Sequence, residues 1–152
     1  MITRSVSTAL TGVTLSDVSV LPMIAIRLKS NRPGGIAVPA VMDLYGLQST
    51  PFNYRVLQNA TVTGGTWVST GDESHVEYNI TATGVSGGNN LLQGMFMGGS
   101  GVNQTHVMFK DFNSSYQLRT RIDGTMETFV IAAIATTNND DAVASLTWEE
   151  YN

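Results

Sequence analysis

The 152-residue chain has no cysteine. Disulfides and thiolate metal sites are therefore excluded, and stability has to come from packing or assembly. Charge is scarce as well. Asp, Glu, Lys and Arg make up 13% of the chain, about half the roughly 25% of an average globular protein. Eight Lys and Arg stand against twelve Asp and Glu, giving a net charge of −4 and a pI near 4.9. The basic residues are scattered and form no stripe, so a nucleic-acid partner is not expected. No apolar run approaches the roughly 20 residues of a membrane-spanning helix. Residues 1–8 lack the basic start and apolar core of a signal peptide, and no membrane partner is expected. Helical amphipathic periodicity is missing, and so is any repeat of solenoid or propeller period.

What replaces the charge is Ser, Thr, Asn and Gly, with 42% of residues apolar. That is enough for one domain with a real core. A polar but weakly hydrated surface of this kind suits broad contact with other protein. The apolar residues recur with a period of two, the mark of half-buried strands. In 75–85, Val76, Tyr78, Ile80 and Ala82 alternate with His75, Glu77, Asn79, Thr81 and Thr83. Gly64 and Gly65 before that stretch, and Gly87 and Gly88 after it, read as turns. Further strands are expected at 21–30, 36–45, 52–58, 67–68, 91–97 (bulged at Gly94), 105–109 and 116–122. Pro22 and Pro39 argue for a strand start, an edge or a bulge. Residues 126–136 are apolar on both faces, as in a central strand covered on both sides. In 142–151 one face carries Ala144, Leu146, Trp148 and Glu150. Since only 137–141 separates these two segments, they are expected to pair as a hairpin. The fold class is all-β, a β-sandwich or jelly roll of eight or nine antiparallel strands with little helix. Residues 21–152 form the sandwich, and residues 1–20 are either an extended arm or its first strand.

Little in the chain carries chemistry. His75 and Glu77 share a strand face but lack a third metal ligand, and His106 is remote in sequence. Residues 138–141 cluster side-chain oxygens without the glycine and distal glutamate of a calcium loop. Asp72, Glu73 and Glu77 read as a solvated acidic loop. Residues 98–101 lack the lysine and helix of a phosphate loop, and no nucleophile elbow occurs. Asn-x-Ser/Thr sequons at Asn59, Asn79, Asn103 and Asn113 match what this composition gives by chance. Trp67, Tyr45, Tyr54 and Tyr116 could stack on sugars, although core packing is the simpler role for Trp67 and Trp148. No catalytic residue, metal or cofactor is expected.

Taken in order, 24–30, 54–67, 76–83 with 86–88, and 129–136 leading into 141–150 resemble a domain of tailed-bacteriophage virion structural proteins. The resemblance covers most of the chain from about residue 22. It implies a non-enzymatic role in the particle, assembled in the bacterial cytoplasm. The small size fits a capsid decoration or cement protein, with the major capsid protein or another virion protein as partner. By analogy a homo-oligomer is expected, a trimer ahead of a dimer. As an arm, residues 1–20 would contact the capsid through Val6, Leu10, Val13 and Leu15. The alternatives are a neck, tail or baseplate component, or a carbohydrate-binding adhesin module that recognises the host surface.

Overall fold

The structure is a computed structural model that describes residues 1–48, 51–97, 104–109, 117–137 and 140–151, with the backbone alone at 97 and 104–106. Among these residues the regular elements are strands: β1 (Ile2–Ser7), β2 (Val13–Leu15), β3 (Leu21–Leu28), β4 (Ile36–Gly46), β5 (Pro51–Gln58), β6 (Thr61–Thr63), β7 (Val68–Ser69), β8 (Val76–Asn79), β9 (Gly84–Ser86), β10 (Asn89–Met97), β11 (Gln104–Met108), β12 (Thr128–Ala135) and β13 (Asp140–Tyr151). One sheet has the order β1–β13–β4–β11, with β2 also on β13. The other runs β10–β5–β12–β3–β8–β7, and β6 pairs with β9 apart from both.

β1 and β2 are two halves of one edge strand, since both lie antiparallel along β13. Counted so, eight strands form the frame. Their orders are first, eighth, third, sixth in one sheet and second, seventh, fourth, fifth in the other. This is a double-sheet jelly roll. β6 to β9 all belong to the connection between the fourth and fifth frame strands.

The expected hairpin between 126–136 and 142–151 does not form. β12 lies between β3 and β5, whereas β13 lies in the opposite sheet between β1 and β4. Their side-chain patterns explain the separation. β13 alternates, burying Ala142, Ala144, Leu146, Trp148 and Glu150, and so fits a sheet with one open face. β12 buries a run from Phe129 to Ala133 and needs cover on both faces. Phe129, Ile131 and Ala133 meet Met42, Leu44, Leu146 and Trp148 in the core between the sheets. Val130 and Ala132 join Ala25, Leu57 and Ala60 on the outer face, where Val62, Trp67 and Val85 of the β5–β10 connection cover them. Each large side chain so buried contributes about 1.5–3 kcal/mol.

Pro22 and Pro39 sit at bulges. Pro39 faces Trp148 where the register of β4 and β13 shifts, and Pro22 faces Ala132 at a shift between β3 and β12. A missing N–H is tolerated there because the ladder is already interrupted.

Three further expectations need correction. The stretch 75–85 is not one strand. β8 ends at Asn79, whose Oδ1 accepts from the Thr81 backbone N–H at 3.0 Å while Nδ2 donates to the Gly64 carbonyl at 3.0 Å. This Asx turn bends the chain away from the ladder, and β9 joins another sheet. In β10 the bulge is at Leu91, not Gly94. Gly94 instead lies under the Tyr54 ring, where a Cβ would come within 2.5 Å of the hydroxyl. The stretch 116–122, of which Tyr116 is outside the described residues, pairs only through single bridges, Ala37 with Leu118 and Thr120 with Met126. β11 stops opposite Val41, and Leu118 takes up the edge of β4 left open at Ala37.

Candidate functional site

The row of inward side chains on β13 ends at Glu150, a residue only 2% exposed. The loop between β7 and β8 closes over it. Ser74 Oγ donates to Oε1 at 2.6 Å, Trp148 Nε1 donates to the same oxygen at 3.0 Å, and the His75 backbone N–H donates to Oε2 at 3.1 Å. Thr70 closes the loop from within through its hydrogen bonds with Ser74 Oγ and the Val76 carbonyl. Of the three donors on this buried carboxylate, Ser74 and the His75 N–H hold the loop to the last strand, and Trp148 steadies the carboxylate from within β13. The proton of Ser74 is directed at Glu150 and its oxygen is buried, which makes it a fastening rather than a presented nucleophile.

Beside this fastening is a cleft of about 360 Å³ lined by Met1, Ile2, Arg32, Glu73, His75 and Glu150. A second groove of about 390 Å³ runs along residues 31–35 and shares Arg32 and His75. The turn at 31–35 is fixed by the Arg32 N–H to the Lys29 carbonyl and by Arg32 Nη2 to the Asp72 carbonyl at 2.6 Å. The imidazole of His75 lies directly on Gly35, where any Cβ would be 2.6 Å from the ring. The first cleft is polar and the groove more apolar, and both open to solvent. The cleft could seat a small polar group, but among the described residues no set of three His, Asp or Glu converges as metal ligands.

The sequence-derived contact residues are distributed unevenly. Leu15 is core, and Val6 and Val13 pack against the core from β1 and β2. An arm free to reach a neighbour does not describe them, because β1 and β2 are already paired along β13. Leu10 alone faces out, 82% exposed, on the loop that separates β1 from β2. Val18 and Leu47, on the β2–β3 and β4–β5 connections, are exposed as well. That trio was not legible as a set, since its members come from three connections.

The other marked residues do not converge. His75 is buried, and Glu77 pairs with Arg27 at 2.6 Å. Arg27 in turn stacks over Trp67 at 3.9 Å, so that ring is occupied from above. Tyr45 is on the first sheet and Tyr54 on the second, too dispersed for one sugar platform. Asp141 accepts from Thr14 Oγ1 at 2.7 Å and from Gln48 Nε2 at 3.3 Å, whereas Asn138 and Asn139, residues 98–101 and the His106 side chain are outside the described residues. The chain matches no protein-family model, no curated protein and no solved structure.

Proposed function

We propose that the protein is a non-enzymatic structural component of a tailed-phage virion, a decoration or cement protein of the head. The observation that carries this reading is the unequal treatment of the two sheets. The outer face of the second sheet is covered by the β5–β10 connection. The outer face of the first carries half-buried side chains, Val143, Ser145, Thr147 and Glu149 on β13 beside Val41, Asp43 and Tyr45 on β4, and among the described residues no apolar cluster covers it. It is rich in hydroxyl and β-branched side chains and carries no basic residue among those named, its charges being the carboxylates of Asp43 and Glu149. Such a face can lie against another protein that offers hydroxyl, apolar or basic side chains. Leu10, Val18 and Leu47 add exposed apolar side chains on three connections. Modest contacts repeated in many copies on a symmetric shell become strong through multivalency. The jelly roll recurs among viral capsid domains, a fold-level analogy that adds weight without deciding the matter.

Co-sedimentation of the purified protein with particles lacking it, emptied heads separated from tails, tests the reading. Saturable binding to heads, weakened by Thr147→Arg on the open face, is the expected result. Binding to tails alone moves the protein to the neck or baseplate, and binding only to host cells favours an adhesin.

A further inference from the structure

The first sheet ends in an edge that the fold leaves unfinished. The Thr8 N–H donates to the Ala144 carbonyl at 2.9 Å, and the register of β1 on β13 runs unbroken from Ile2 to Ser7. Antiparallel ladders alternate, so the N–H and C=O groups of Ile2, Arg4 and Val6 point to β13. Those of Thr3, Ser5 and Ser7 point the other way. All three residues are exposed, and among the described residues no backbone group bonds to theirs. Natural edges are usually blunted by lysine, proline, a bulge or brevity. β10 has a bulge and β7 is two residues long. β1 is regular over six residues and carries neither lysine nor proline; its one charge, Arg4, is turned to the Thr70 carbonyl at 3.4 Å and leaves Thr3, Ser5 and Ser7 exposed.

We propose that β1 pairs with β1 of a second copy of this chain across a two-fold axis at Ser5, joining two first sheets into one continuous sheet. The segment is self-complementary in this register. Ser5 faces Ser5 and Thr3 faces Ser7 of the other copy, so the three outward residues of each copy all find partners, in about six backbone hydrogen bonds. On the outer face the opposed pairs are hydroxyls, which bond across strands. On the inner face Arg4 faces Val6, so the one charge of the strand never faces its own copy. Centring the axis on Arg4 would set the two Arg4 side chains against each other, and centring it on Val6 would leave Thr3 opposite Ala9, outside the strand. The open outer faces of the two copies then form one broad surface. The inference is independent of the particle in which the protein works, because it follows from the edge alone.

The absence of cysteine makes a clean test possible. Opposed residues of a hydrogen-bonded pair have Cα atoms about 5.5 Å apart, within the disulfide range of roughly 4.4–6.8 Å. Ser5→Cys in the full chain is expected to cross-link quantitatively to a dimer under mild oxidation, while Thr83→Cys, exposed on the β5–β10 connection, does not. Sedimentation equilibrium of the wild type is expected to give twice the chain mass. Ser5→Pro removes an N–H that faces away from β13, so the melting curve of the monomer should persist while the dimer is lost. Ser5→Lys gives the same readout should the proline variant fold poorly. A wild type that stays monomeric or forms trimers, equal cross-linking at both cysteines, or a dimer that survives both Ser5 variants would overturn the proposal.

Discussion

Glu150 would be read from sequence as one more polar residue near the end of a strand, yet its carboxylate fastens the β7–β8 loop to β13. Removing the side chain takes a buried acceptor from the Trp148 N–H, the His75 N–H and the Ser74 hydroxyl, of which the hydroxyl keeps the Val76 carbonyl at 3.2 Å. Glu150→Ala is expected to cost about 3 kcal/mol, measured by urea unfolding, with a fall in Tm of roughly 6–12 °C. Glu150→Gln keeps one acceptor oxygen but sets an amide donor against the His75 N–H, and is expected to cost roughly half as much. Equal stability of all three proteins would show that the loop is held by something else. Asp123 supplies a second test at this scale. Thr125 donates to it from both its hydroxyl, at 2.6 Å, and its backbone N–H, at 3.0 Å. The hydroxyl first and the N–H second hold its carboxyl below the ordinary 3.8. A depressed carboxyl contributes to the fold fully above its unfolded value, and the contribution is lost as pH falls through the lower folded value. An NMR titration should place its midpoint below 3.8, and Thr125→Val should move it up.

Among the elements, the connection between β5 and β10 shows both the reach and the limit of sequence reading. The glycine pairs at 64–65 and 87–88 were legible as turns, and all four glycines have positive φ. The chain leaves the frame at Asn59, itself left-handed with φ 62°, and returns at Gly88. There a Cβ would meet the Gln58 carbonyl at 2.7 Å and the Ala60 N at 2.8 Å, so the outgoing and returning strands touch at a neck with no room for a side chain. Gly88→Ala combines that clash with a left-handed backbone and is expected to destabilise by about 2–3 kcal/mol, read as a lower urea midpoint. The period of two in β13 was legible and names its buried row correctly. What alternation could not give was partnership. β12 and β13 are close in sequence and differ in how many faces they bury, and the second fact decided their sheets. Nor does alternation show where a strand ends. The apolar and polar residues of 75–85 keep their period through Asn79, whose side chain turns the backbone all the same.

At the scale of the whole molecule, the first 15 residues decide whether the protein is a sandwich with a detachable arm or a jelly roll that begins at once. β1 and β2 together lie along β13 for nearly its full length, and Thr8 bridges the gap between them with its N–H on the Ala144 carbonyl and its hydroxyl accepting from the Ala144 N–H at 3.1 Å. Without them β13, the strand that carries Leu146, Trp148 and Glu150, becomes an edge. The rim of the core also loses Val6, Val13 and Leu15. Leu15→Ala alone is expected to cost about 2–5 kcal/mol, a large share of the 5–15 kcal/mol that a domain of this size has. A chain starting at residue 16 should therefore lose its cooperative thermal transition and bind no particle, whereas Leu10→Ser, which touches only the exposed loop, should melt like the wild type. A truncated chain that still melts cooperatively would return the first strands to the role of an arm. Loss of head binding on Leu10→Ser with the fold intact would place the loop end of the sandwich, rather than the open sheet face alone, against the capsid.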